Sequence, residues 1–129
     1  MKMNLINITG LEELNCENLL GCFYNLNDLD RKVYFLLTRS RSPLTNDDIA
    51  KALKKDKTAV YRSLQKLLTC GLISKTKKTY EKRPSYNYLY QAVDLRIVKK
   101  RLREDLERWY ITAENLIENL DQFIEEGTL

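Results

Sequence analysis

The amino-acid sequence predicts a mostly α-helical chain with one small β-hairpin, closed by a long C-terminal helix. Three observations lead to that expectation. Apolar residues recur every three or four positions in four separate stretches before residue 71. Two short β-prone runs then flank a polar, cationic loop. The last third places leucines and aromatics at threes and fours without a break, close to a heptad seam. At 129 residues the chain fits a single domain, 1–129, with enough length for one core.

The first helix is expected over 11–24, where Leu11, Leu14, Leu19, Leu20 and Phe23 keep helical spacing until three polar-rich positions, 25–27, end it. Asp28 can cap the second, whose face is Val33, Tyr34, Leu36 and Leu37. Ser42-Pro43 marks a turn, because the residue before a proline avoids the helical region. Thr45 opens a short third helix with Asp48 three places on, a variant of the capping box, and Ile49, Ala50 and Leu53 supply its buried side. After Lys54 and Lys55, Asp56 caps a helix over 57–70 whose inner face is Val60, Leu64 and Leu67. Two short helices so closely joined make a helix-turn-helix.

Beyond Gly71, the runs 72–75 and 86–93 are β-prone, the second alternating Tyr86, Tyr88 and Tyr90 with Asn87, Leu89 and Gln91. Asp94 caps a last helix expected to reach about residue 126. Its apolar positions are Leu95, Val98, Leu102, Leu106, Trp109, Ala113, Leu116, Leu120 and Phe123. At 1.5 Å per residue such a helix is roughly 50 Å long, too long to bury its stripe on its own domain. The simplest cover is a second copy, which makes Leu102, Leu106, Trp109, Ala113, Leu116, Leu120 and Phe123 the dimerisation residues of a homodimer.

Charge is as uneven as hydropathy. Residues 51–103 hold sixteen Lys and Arg, opposed only by Asp56, Glu81 and Asp94, for a net +13. The whole chain carries +4, which leaves −9 on the remainder. An acidic body holding one strongly basic segment points to a polyanion, and double-stranded DNA is the first candidate. Catalysis is not expected. The chain has no histidine, so neither a Ser-His nor a Cys-His pair can be built, and no glycine-rich phosphate loop occurs. No cofactor and no metal site are expected either. Three cysteines, Cys16, Cys22 and Cys70, are too few for a disulfide framework; they fit a reducing cytoplasm as small buried hydrophobes, with a redox role left open. No signal-peptide-like or membrane-spanning run is present, which also points to the cytoplasm.

Specific positions sharpen this order of elements. Ala50, Val60 ten residues later, Leu64, Leu67 and Gly71-Leu72-Ile73, followed by Arg83-Pro84-Ser85-Tyr86-Asn87-Tyr88, resemble the MarR and TrmB-like winged-helix transcriptional regulators, particularly small archaeal ones. The similarity is detailed over 28–93 and covers the flanking helices only in type. Two departures stand out: Lys54-Lys55 where the family often has glycine in the turn, and Lys82 where glycine commonly precedes Arg-Pro. The resemblance implies a winged helix-turn-helix domain flanked by an N-terminal helix and a long C-terminal dimerisation helix. It also implies a DNA-binding role, and room for a small-molecule effector of unidentified chemistry in the cleft between the long helix and the N-terminal helix; a redox effector would act instead through Cys16, Cys22 or Cys70.

If Val60, Leu64 and Leu67 face inward, helical geometry turns Thr58, Arg62, Gln65, Lys66 and Thr69 outward, with Tyr61 at the flank. A helix of this kind fits the major groove, where Arg62 suits guanine, Gln65 adenine, and Thr58 or Tyr61 a thymine methyl or a phosphate. Lys55, Lys57 and Lys66 suit phosphates. Thr45 and the amides after it begin a helix whose N-terminus can hold another. The resemblance lays the wing on the backbone or in the minor groove, assigning Lys75, Lys77, Lys78, Lys82 and Arg83 there. Two other functions share these features: a winged helix used as a protein-interaction module, and sequence-independent DNA packaging.

Overall fold

The computed structural model describes residues 15–78 and 87–127, with the side chains of 16, 17, 22, 78 and 87 outside that description. Six helices and two strands follow in order: α1 Cys16–Tyr24, α2 Asp28–Arg39, α3 Asn46–Leu53, α4 Lys57–Thr69, β1 Ile73–Lys78, β2 Asn87–Ala92, α5 Leu95–Glu118 and α6 Leu120–Glu125. Mostly helical with one antiparallel hairpin, this is the winged helix-turn-helix that the sequence predicts.

Local chemistry sets the helix starts. Asp56 accepts from the amides of Thr58 and Ala59, Asp94 from that of Arg96, and Thr45 and Asp48 form a reciprocal capping box. Two starts differ from expectation. Asn15 is extended and forms a capping box with Asn18, so α1 begins at Cys16; the expected residues 11–14, with Leu11 and Leu14, lie outside the described residues. The cap of α2 is Asn27 rather than Asp28, because Asp30, not an earlier acid, reaches back to the Asn27 amide.

The core is where α2, α3 and α4 meet. Val33, Tyr34, Leu37, Ile49, Ala50, Val60, Leu64 and Leu67 are buried there, and Leu72, Ile73, Tyr90 and Val98 close it from the wing and α5. In the hairpin Ile73 pairs with Ala92 and Lys77 with Tyr88. A third segment joins it that periodicity did not reveal: Leu44 and Tyr90 exchange both backbone hydrogen bonds, at 2.9 and 2.8 Å. The wing is thereby anchored beside the start of α3.

The α4–wing junction turns at Gly71, whose φ of +75° favours glycine. Its carbonyl accepts from Arg101 of α5 at 2.6 Å, and a Cβ here would lie 2.7 Å from that same nitrogen. Arg101 thus holds the fold together rather than projecting freely.

Lys54 explains the missing glycine in the turn. It sits in the left-handed region (φ 55°, ψ 47°), and the Lys55 amide bonds back to Ala50, closing a Schellman-type end on α3. A lysine takes this conformation at a cost of about 1 kcal/mol relative to glycine. Lys54→Gly is therefore expected to stabilise the protein by about 0.5–1 kcal/mol in urea unfolding, and Lys54→Val to destabilise it. A stabilising valine would contradict this backbone reading.

The C-terminal helix is interrupted. Asn119 (φ −99°, ψ 10°) donates its side-chain amide to the Asn115 carbonyl at 2.8 Å, sharing that acceptor with its own backbone N–H at 3.2 Å. This competition ends α5 after 24 residues, about 36 Å. The ladder resumes at once, since Phe123 donates to the Asn119 carbonyl, and α6 follows directly. The apolar spacing runs through the break, which is why periodicity predicts one helix.

Tyr24 packs at the end of α1 and is buried. Burial, reinforced by the negative charge of Asp105 on α5, pushes its phenol up to about 12. An acid whose folded pKa is raised adds stability below its unfolded value, near 10, and loses it as pH climbs toward 12. Buried Tyr34 and Tyr90 are shifted the same way. Unfolding free energy should fall between pH 10 and 12, and Tyr24→Phe should flatten that slope. An unchanged slope in the variant would contradict the assignment.

Candidate nucleic-acid interface

Val60, Ser63, Leu64 and Leu67 turn into the core, so α4 presents Lys57, Thr58, Tyr61 and Arg62 to solvent, with Gln65 half-buried at the edge. Arg62 makes no ion pair or hydrogen bond among the described residues. Thr69 is exposed near the far end and donates its hydroxyl to the Gln65 carbonyl. Lys55 is exposed in the turn before the helix.

Lys66 departs from the outward expectation. Its ammonium lies 2.8 Å from Oδ2 of Asp30, a carboxylate only 2% exposed. The same carboxylate accepts from Ser63 Oγ at 2.6 Å and from the Asn27 amide at 2.9 Å. Lys66 turns in because a buried charge needs a counter-charge more than a half-exposed ammonium needs water. Asp30 therefore fixes the seat of α4 on α2, and sequence reasoning missed it. One signal existed: Ser63 is the single polar residue on an otherwise apolar inner face.

The starts of α3 and α4 meet. Asn46 donates to the Lys57 carbonyl at 3.2 Å, and Lys57 Nζ lies 3.1 Å from Asp47. Thr45 accepts from the Asp48 amide, and Asp48 accepts from the Thr45 amide. With those groups engaged and Asp47 and Asp48 in the first turn, the α3 N-terminus makes a poorer phosphate seat than its position alone implies.

On the wing, Lys75 and Lys77 are exposed and share a face with Ile73, Tyr88 and Tyr90. Lys75 Nζ stands 4.4 Å from the centre of the Tyr88 ring, a cation–π contact. Burial raises the Tyr90 phenol, with Tyr61 of α4 and Tyr88 adding to the shift. Tyr61 is exposed on α4, as Lys75 and Lys77 are on the wing. Lys78 ends β1 with its side chain outside the description; Lys82 and Arg83 lie outside the described residues.

Along α5 and α6, Leu106, Trp109, Leu116, Leu120 and Phe123 are exposed, Ala113 is half-buried, and Leu102 packs against the core. Adjacent positions widen the stripe beyond expectation: Tyr110 is 63% exposed, Ile117 67%, with Ile111 and Ile124 beside them. Half-buried Cys70 has its thiol pushed up by burial, which disfavours the reactive thiolate. A cleft of about 400 Å³ lies between α1 and α2, lined by residues including Arg31, Lys32 and Phe35, and another of about 590 Å³ lies along α5 at Arg96, Ile97, Lys100, Arg101 and Glu104. Among the described residues no helix is long and apolar enough to cross a membrane, and no group of His, Cys, Asp and Glu is placed to hold a metal.

The family described as sugar-specific transcriptional regulator TrmB matches residues 20–96, most of the chain and all of the helix-turn-helix and described wing. The chain belongs to the TrmB family. Its relatives include the uncharacterized protein MJ1082 of Methanocaldococcus jannaschii, 34% identical over 104 residues that span 80% of this chain and 83% of that one. A second uncharacterized protein of the same organism is 30% identical over 81% and 78%. Among solved structures, a possible transcriptional regulator from Methanosarcina mazei superposes with a TM-score of 0.70 over 84% of this chain and 88% of its own, at 21% identity. The ST1889 protein of Sulfolobus tokodaii superposes at 0.59 over 73% and 90%, at 28% identity. This TrmB-family chain is accordingly a winged-helix member of a family of transcriptional regulators.

Proposed function

We propose that this TrmB-family chain is a homodimeric, sequence-specific transcriptional regulator that binds double-stranded DNA. In this reading α4 enters the major groove while the wing lies on the backbone or in the minor groove. The observation that carries it is that α4 presents Thr58, Tyr61 and Arg62 to solvent while the wing presents Lys75 and Lys77. Arg62, with no partner of its own among the described residues, is free to reach a base edge. Gln65 reads beside it, and Lys55, Lys57 and the wing lysines neutralise phosphates. Lys66 acts indirectly, by holding α4 on Asp30. The exposed apolar stripe of α5 and α6 pairs two protomers, so two copies of α4 meet half-sites about one helical turn apart.

Competition tests this against sequence-independent packaging and against a protein-interaction module. A labelled genomic fragment retained by the protein should withstand a roughly thousand-fold excess of bulk duplex at physiological salt. Its affinity should fall steeply as salt rises, because several phosphates are neutralised. Equal competition by bulk DNA would leave packaging standing, and absence of binding would leave the interaction module.

A further inference from the structure

The charge on α5 and α6 is divided end to end. Residues 95–103 hold Arg96, Lys99, Lys100, Arg101 and Arg103 and no acid. Residues 104–126 hold eight acids against the lone cation Arg108. The exposed apolar stripe spans both halves. Lys99, Lys100 and Arg103 are exposed and make no ion pair among the described residues, and Asp121, Glu125 and Glu126 at the other end are exposed as well.

Resting on the dimer reading above, we propose that two copies pair through α5 and α6 in antiparallel sense, with the basic root of each helix against the acidic end of the other. A parallel pair would set five cations beside five cations at one end and acids beside acids at the other. Antiparallel pairing converts both repulsions into attractions. The basic root then belongs to the protomer interface, not to the DNA face.

The stripe also selects a register. Leu102, Leu106, Trp109, Ala113, Leu116, Leu120 and Phe123 alternate spacings of four and three, as interlocking helices require. One antiparallel alignment has its two-fold axis level with Ile111. It sets Trp109 opposite Ala113, a large residue against a small one, with Leu106 opposite Leu116 and Leu102 opposite Leu120. That alignment lays the basic root along the partner's Asp121, Glu125 and Glu126 and brings Arg108 level with Glu114. Glu104 facing Glu118 is its one like-charge cost. The alternative, with its axis between Glu114 and Asn115, stacks Trp109 on Leu120 and sets the whole basic root past Glu125, beyond the end of the partner's α6.

Sedimentation equilibrium without DNA tests this on the full chain. The unaltered protein should be a dimer. Reversing the root (Lys99→Glu, Lys100→Glu, Arg103→Glu) should weaken it about 10- to 100-fold, and reversing the end as well (Asp121→Lys, Glu125→Lys, Glu126→Lys) should restore it. In a parallel pair the root reversal only exchanges one like-charge contact for another and leaves the dimer unchanged. Register has its own readout: Ala113→Trp should weaken the dimer, and adding Trp109→Ala should recover it. A strong wild-type dimer insensitive to root reversal overturns the antiparallel inference alone; a wild-type monomer overturns the dimer reading with it.

Discussion

Asp30→Ala should cost about 3 kcal/mol of folding stability, a large loss for a chain of this size. The carboxylate is 2% exposed and accepts from three groups: the Ser63 hydroxyl, the Lys66 ammonium and the Asn27 amide. Truncation leaves the buried Ser63 hydroxyl unsatisfied, removes half of the capping box at Asn27 and leaves an ammonium without its counter-charge. Lys66→Met should cost less, about 1 kcal/mol, because that side chain is 38% exposed and can hydrate when unpaired. The double variant Asp30→Ala/Lys66→Met should be more stable than the sum of the two losses, since each substitution removes the other's unpaired group. Urea unfolding of the four proteins measures the coupling. Strict additivity would contradict the pairing. Because Asp30 seats α4, the double variant should also lose discrimination between DNA sequences before it loses general affinity for duplex.

Arg62→Ala should reduce affinity for the preferred site by about 10- to 100-fold and relax the preference at one base pair. Its guanidinium is exposed at the middle of α4, and the fold gives it no competing acid among the described residues. Stability should change little for the same reason. Lys75→Ala should behave differently. It stands on the wing over Tyr88, so its loss should weaken binding to all sequences alike and lower the salt dependence by about one counterion. If Arg62→Ala weakened every sequence equally, arginine would be a phosphate contact and base reading would rest on other residues.

How much of this could be read from the sequence follows from how local each feature is. Asp56, Asp94 and the Thr45–Asp48 box act within one turn, and their positions alone reveal the helix starts they cap. The spacing of Val60, Leu64 and Leu67 is likewise local and orients α4 correctly. Lys66 was misdirected by the same logic, because its partner lies on another helix and only tertiary packing brings them together. The bridge between Leu44 and Tyr90 is non-local in the same way, linking the loop before α3 to the wing. Asn119 is a different case. The competing side-chain amide is a local signal, but the hydrophobic period continues across it and outweighs it. Lys54 occupies a conformation its residue type resists, so propensity opposes what packing enforces. Gln65 and Arg62 could be placed on the outer face from spacing, whereas which base each meets depends on the DNA.

Selection of bound sites from random duplex DNA reads out whether α4 recognises sequence. A pseudo-palindrome whose half-sites lie about one helical turn apart should be enriched, with Arg62→Ala relaxing the same position in both halves. Recovery of unenriched random sequence by a folded, dimeric protein would contradict that recognition.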